Sequence, residues 1–188
     1  MRNTLSSLVA YKRGPSLDSS KWYMRMLLTF LVEGKDTGGN FAILEGSLKP
    51  GSEPPAHLHE REDELFYILD GEIEAYVGNE AFRVGAGECL FLPRLKPHTF
   101  LVRSPWLRML VLFLPAGLEG CFRARSLPAE KLELPIGAAT YSTSDLETMV
   151  PAFEEYGARF LSQDEVAERM PLYFAALHET APEVTPAE

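Results

Sequence analysis

At 188 residues, 46% of them hydrophobic, the chain is long enough for one domain with a sizeable core. Its 18 Lys and Arg against 27 Asp and Glu give a net charge of -9, which argues against the phosphate-neutralising surface that nucleic-acid binding needs. No apolar run approaches the roughly 20 residues of a membrane-spanning helix, the longest being Met109 to Leu114, and the N-terminal apolar segment is too short for a signal peptide.

In chain order, residues 1–20 are polar and irregular and read as a surface arm. Trp22 to Val32 and Phe41 to Leu48 read as strands, separated by the turn chemistry of Asp36-Thr37-Gly38-Gly39-Asn40. Glu64 to Leu69, Glu72 to Val77 and Ala81 to Val84 continue the series, with two-residue hairpins expected at Asp70-Gly71 and Gly78-Asn79. Cys89 to Leu92, Thr99 to Arg103 and Leu107 to Leu114 follow, with Cys89 read as a small buried hydrophobe. After Pro115, Leu118 to Arg125, Asp145 to Tyr156 and Gln163 to Met170 read as helices. Capping boxes start the last two at Ser144 and Ser162, and Pro151 predicts a kink or restart. Residues 180–188 are expected to be disordered. Many short strands punctuated by glycine and proline imply an all-β fold, an antiparallel barrel or jelly roll over 21–116, with a helical extension over 117–179 packed on the same domain.

Chemistry concentrates between Gly51 and His98. His57 and His59 are two apart, so an extended strand projects both imidazoles from one face. Glu64 lies an odd spacing beyond His57, so the chain must bend within Glu60 to Asp63 before a second strand sets its carboxylate beside the histidines. Glu62 and Asp63 are rival carboxylates, but they belong to that bend. His98, after a strand and a proline-bounded turn, completes the set, whereas His178 has no motif partner and reads as an exposed helix residue. Three imidazoles and one carboxylate suit one divalent transition metal, any of Fe, Mn, Co, Ni, Cu or Zn, with positions left for other ligands. By alternation, Phe66 and Ile68 share the face of Glu64, and Phe100 and Val102 that of His98. This gives a predicted apolar cavity lining around one charged centre. Leu65, Tyr67 and Leu69 make the opposite face apolar too, so that face is expected to lie under tail helices or a second subunit.

Gly51-x5-His57-x-His59-x4-Glu64-x6-Gly71 resembles the complete first motif of the cupins, and Gly87-x5-Pro93-x4-His98 resembles their second. Leu95 stands where glycine is usual and Val102 where asparagine is usual; neither is a ligand position. The tail, with Glu155 to Phe160, is similar to small bacterial single-cupin proteins of the quercetinase-like kind. The resemblance implies a double-stranded β-helix, a metal at His57, His59, Glu64 and His98, and a homodimer. It also implies a dioxygenase acting on a flavonol-like, catecholic or enolisable small molecule, with Glu64 as both ligand and catalytic base. The alternative reading is a non-catalytic or regulatory small-molecule binder with a structural or ligand-anchoring metal. Glu88, Arg94 and Lys96 border the second motif, where they either steer an anionic substrate or serve as ordinary surface charge. Cys89 and Cys121 have no metal or redox spacing, and the expected compartment is the cytoplasm.

Overall fold

A computed structural model describes residues 8–137 and 142–179; the expected tail over 180–188 lies outside them. The strands are β1 (Ser20–Tyr23), β2 (Met26–Val32), β3 (Ala42–Leu48), β4 (His57–His59), β5 (Asp63–Asp70), β6 (Glu72–Val77), β7 (Glu80–Gly85), β8 (Cys89–Leu92), β9 (His98–Val102), β10 (Leu107–Leu114), β11 (Leu127–Pro128) and β12 (Ala158–Phe160). The helices are α1 (Gly34–Thr37), α2 (Glu119–Arg125), α3 (Thr143–Glu155), α4 (Gln163–Arg169) and α5 (Pro171–Glu179). Every strand pairing among the described residues is antiparallel.

Two sheets result, one in the order β11-β1-β2-β3-β10-β5-β8 and the other β12-β4-β9-β6-β7. Of the two architectures expected, barrel or jelly roll, the structure has the separate sheets of the second: they share a core and do not close into a barrel. Gly71 shows how the chain changes sheet. Asp70-Gly71 is not the expected hairpin turn, because β5 pairs with β10 and β8 while β6 pairs with β7 and β9. Gly71 instead turns a corner at φ 90°, where an added Cβ would lie 2.4 Å from the Trp106 carbonyl oxygen. The Gly78-Asn79 hairpin does form, joining Val77 to Glu80.

Alternation explains the inner layer. In β3 the residues Ala42, Leu44, Gly46 and Leu48 are buried while their neighbours are half-buried, and in β5 Glu64, Phe66 and Ile68 point inward. Phe30, Leu48, Ile68, Ile73 and Leu107 are fully enclosed. Helices α2 and α3 add Leu118, Cys121, Met149, Ala152 and Phe153 to the same core, while α4 and α5 cover a smaller cluster around Tyr76 and Met170.

Several expectations need correction. The stretch from Trp22 to Val32 is two strands, β1 and β2, because Met24 takes φ 50° at a tight turn that no glycine announces. Ser20 is already buried in β1, and the described arm is tied down where Tyr11 and Arg13 bond Asp36 and the Leu31 carbonyl. The cap of α3 is Ser142 with Asp145, two residues earlier than expected, whereas the Ser162-Glu165 box on α4 forms as read. Pro151 neither ends nor restarts α3, which runs through it. A proline there costs about 3 kcal/mol. Burying Met149, Ala152 and Phe153 around it returns more, at about 1.5–3 kcal/mol for each large side chain. Cys89 is exposed, not buried, because the inward positions of β8 belong to Leu90 and Leu92.

Candidate metal centre

Two histidines come from β4, a strand of three buried residues held on both sides. His57 lies opposite His98 of β9 and opposite Phe160 of β12, and His59 opposite Ala158. The chain then bends through Glu60 to Glu62, where the Glu60 amide bonds the Gly157 carbonyl at 2.8 Å, and enters the other sheet as β5. Glu64 is the second residue of that strand and points back across the gap. Thus β4 and β9 carry three imidazoles on one sheet, and β5 carries the carboxylate on the other.

His57, His59, Glu64 and His98 offer ligand atoms that all lie within 4.8 Å of one another, and all four residues are buried. Glu64 Oε2 is 3.1 Å from His98 Nε2 and 3.3 Å from His59 Nε2. The His57 ring centroid is 4.5 Å from that of His98 and 5.0 Å from that of His59. His57 Nδ1 donates to the Pro55 carbonyl at 2.8 Å and His98 Nδ1 to the Lys96 carbonyl at 3.0 Å, since a carbonyl only accepts. In the neutral tautomer each ring then aims a bare Nε2 lone pair into the cluster. At His98 that lone pair would face a carboxylate oxygen 3.1 Å away, a repulsion that either a proton on Nε2 or a bound cation relieves. This donor chemistry fits a divalent transition ion.

Electrostatics agree. Burial pushes the His57 imidazole well below its ordinary range, with His98 and His59 adding to the effect. Burial also opposes charge on His59, but the adjacent Glu64 carboxylate outweighs it and raises the ring's pKa. Glu64 is the mirror image: burial works to raise it, and the His59 and His98 rings overcome that and hold it well below the usual carboxylate range.

His57, His59 and Glu64 of the cluster form the polar end of a cavity of about 80 Å³ between the sheets, with Met26, Phe66, Phe100, Met109, Phe113, Met149 and Phe153 among its apolar walls. Of the predicted lining residues, Phe66 and Phe100 are there, their rings 5.5 Å apart and edge to face across the two sheets. Ile68 and Val102 are not. They keep the inward face but lie four residues further along their strands from Glu64 and His98, about 13 Å away, and pack deeper in the core. Sequence reasoning missed Met149 and Phe153 of α3 and Phe160 of β12, which reach the site from far along the chain.

The rival carboxylates separate. Asp63 is turned outward and clamped by Arg94, with contacts of 2.7 and 3.1 Å, and the Arg94 side chain holds its carboxyl down at about 2. Glu62 is buried, and burial raises its pKa. Of the bordering charges, Lys96 pairs with Glu80 and Glu88 accepts from the Gly85 amide, so both, like Arg94, are engaged in surface contacts. His178 sits exposed on α5, apart from the cluster.

Leu95 keeps the backbone shape its position demands, at φ 66°, and its amide bonds the His59 carbonyl at 2.7 Å. The turn before His98 therefore also braces the strand that carries His57 and His59.

Comparison with known proteins finds partial similarities. The chain is 26% identical over 96 residues to quercetin 2,3-dioxygenase of Bacillus subtilis, a match covering 51% of this chain and 28% of that protein. It is 32% identical over 57 residues to an uncharacterized protein of Methanocaldococcus jannaschii, covering 30% of this chain and 46% of that one. The match therefore spans less than half of each curated relative. Among solved structures, the cupin domain of Schizosaccharomyces pombe Cnp3 aligns with a TM-score of 0.47 at 22% identity over 59% of this chain and 80% of that one. A predicted oxalate decarboxylase from Thermotoga maritima aligns with a TM-score of 0.46 at 22% identity over 51% and 90%. The family description that matches is the cupin domain, over residues 44–113, a stretch that contains both histidine motifs and all four clustered donors. With the motifs of its sequence and the donors they assemble, this stretch of the chain is similar to the cupin domain.

Proposed function

We propose that the protein is a metal-dependent dioxygenase, built on the double-stranded β-helix of its family, acting on a flavonol-like, catecholic or enolisable small molecule. The observation that carries this reading is that His57, His59 and Glu64, three members of the four-donor cluster completed by His98, line the polar end of an otherwise apolar chamber. A divalent ion held there would supply Lewis-acid attraction for an ionised substrate oxygen. The chain's own residues do the rest. The Phe66 and Phe100 rings orient an aromatic or conjugated body against the donors and keep water from it. Glu64 Oε2, the one anionic oxygen among the donors, takes the proton that the substrate hydroxyl gives up. The similarity to quercetin 2,3-dioxygenase over half of this chain supports the choice of substrate class.

A second reading has its own support: because the donors come from both sheets, a bound ion would staple them together and serve a non-catalytic small-molecule binder. Elemental analysis followed by oxygen uptake with flavonols, catechols and diketones separates the two. Uptake that disappears in Glu64→Ala supports the oxygenase, and tight ligand binding without oxygen consumption supports the binder.

We further propose a homodimer built on the outer face of the larger sheet. There Phe91, Leu65, Leu112 and Ile43 form one cross-strand row and Cys89, Tyr67 and Leu110 the next. Tyr67 and Phe91 are exposed rather than covered by the tail helices, which leaves the second copy as the expected cover. Sedimentation at micromolar concentration tests it, with Phe91→Glu expected to give monomers. We place the protein in the cytoplasm, a reading supported by two free cysteines; among the described residues no helix is long and apolar enough to cross a membrane.

A further inference from the structure

The three imidazoles of the cluster are not held alike. His57 and His98 each have Nδ1 fixed by the carbonyl two residues earlier, at Pro55 and Lys96. His59 has no such anchor: its Nδ1 is buried without a hydrogen-bond partner among the described residues, as is Oε2 of Glu62. These two atoms lie 4.0 Å apart, and both side chains are nearly fully enclosed, at 2% and 3% exposure. A buried donor and a buried acceptor facing each other, neither otherwise served, form a pair that a shift of about 1 Å turns into a hydrogen bond. Gly117 lies beside the carboxylate, where an added Cβ would stand 3.4 Å from Glu62 Oε1, in ordinary van der Waals contact. Glu62 belongs to neither cupin motif and does not line the cavity, so its burial has no explanation in substrate contact.

We propose that Glu62 is the positioning residue of the centre: its carboxylate accepts the Nδ1 proton of His59, fixes the tautomer, and turns Nε2 toward Glu64 and the metal. This rests on the metal-binding reading given above. A carboxylate behind one imidazole makes that ring a stronger donor, and it brings the formal charge of a divalent ion with Glu64 and Glu62 from about +1 to zero. Glu62 thus acts through His59 and touches neither ion nor substrate.

The test uses the whole protein and Co2+ alone as the probe, with affinity read by competition against a chelator and ligand strength by visible absorption of the bound ion. Glu62→Ala is expected to weaken Co2+ binding by about 10- to 100-fold and to shift the absorption bands. Glu62→Gln, whose amide oxygen still accepts the Nδ1 proton, is expected to recover most of the affinity while the band shift persists. Apo Glu62→Ala is expected to melt no lower than apo wild type, because without the ion His59 Nδ1 and Glu62 Oε2 stand 4.0 Å apart and make no hydrogen bond to lose. Variants that bind Co2+ within twofold of wild type with unchanged bands overturn the inference while leaving the metal reading intact. So does an affinity loss that Gln fails to rescue and that tracks a lower apo melting temperature. Wild-type protein that takes up no Co2+ overturns the metal reading and this inference together.

Discussion

Replacing Gly71 with alanine should be far more damaging than the same change at Gly87, although the two residues share nearly the same φ, 90° and 88°. Both variants incur the left-handed penalty of an L-residue, about 1–2 kcal/mol. At Gly87 a new Cβ meets nothing within 4 Å, so the cost should stop there. At Gly71 it lands 2.4 Å from the Trp106 oxygen, 2.6 Å from Ser104 Oγ and 3.3 Å from Leu107 Cα. The Trp106 oxygen is backbone and cannot rotate away. Ser104 Oγ cannot swing freely either, since it donates to Trp106 O at 2.6 Å and accepts from the Glu72 amide at 3.0 Å. Overpacking of this kind costs about 1–3 kcal/mol, and a disrupted hydrogen bond about 1 kcal/mol more. Gly71→Ala should therefore lose about 3–6 kcal/mol against about 1–2 for Gly87→Ala. With a urea slope of about 2 kcal/mol/M, the midpoints should fall by about 1.5–3 M and 0.5–1 M. The corner joins the strand of Glu64 to β6, the hydrogen-bonded neighbour of the strand of His98, so it also sets the distance between the two halves of the centre. Midpoints within 0.3 M of each other would refute the reasoning.

Three further outcomes are expected. Saturating the wild-type centre with Co2+ at 100 times its dissociation constant should stabilise the fold by about 2.7 kcal/mol in denaturant titrations, and His98→Ala or Glu64→Ala should remove the increment. In an NMR titration the Asp63 carboxyl should show a pKa of about 2. Arg94→Ala should raise it toward the free value of about 3.9 without reaching it, because the backbone amide of residue 94 still donates to the carboxylate. Because the folded value is depressed, the stabilisation by this pair is complete above pH 4 and fades as pH falls toward 2, which a comparison of the two proteins' acid unfolding will show. Leu95→Gly should stabilise the protein by up to about 1 kcal/mol, since it relieves the left-handed penalty at φ 66° and gives back part of that as chain entropy; a loss above 1 kcal/mol in thermal unfolding would count against this.

What the sequence made legible was local. The two-residue spacing of His57 and His59, the odd step to Glu64 and the proline-bounded approach to His98 are short-range constraints, and they bring the four donors together. Strand limits from Phe41 to Leu114 follow from alternation and turn residues, and they shift by a residue or two at most. Several misreadings arise where partners distant in sequence decide. Asp70-Gly71 has the residues of a hairpin, yet which sheet receives β6 is settled by β9 and β7. Pro151 is tolerated because burial of its neighbours outweighs its cost. Alternation assigned Ile68 and Val102 to the correct face but carries no information on how far along a strand the chamber extends. Glu62 stands among the charges of a bend, and only the enclosure supplied by the returning chain separates it from Asp63 and Arg61.

The division of donors, three on one sheet and one on the other, makes the cluster a calliper. With an ion bound, ionic radius would become layer spacing: a larger ion would hold β4 and β9 further from β5, a smaller one would draw them in, and the gap between Phe66 and Phe100 would widen or narrow with it.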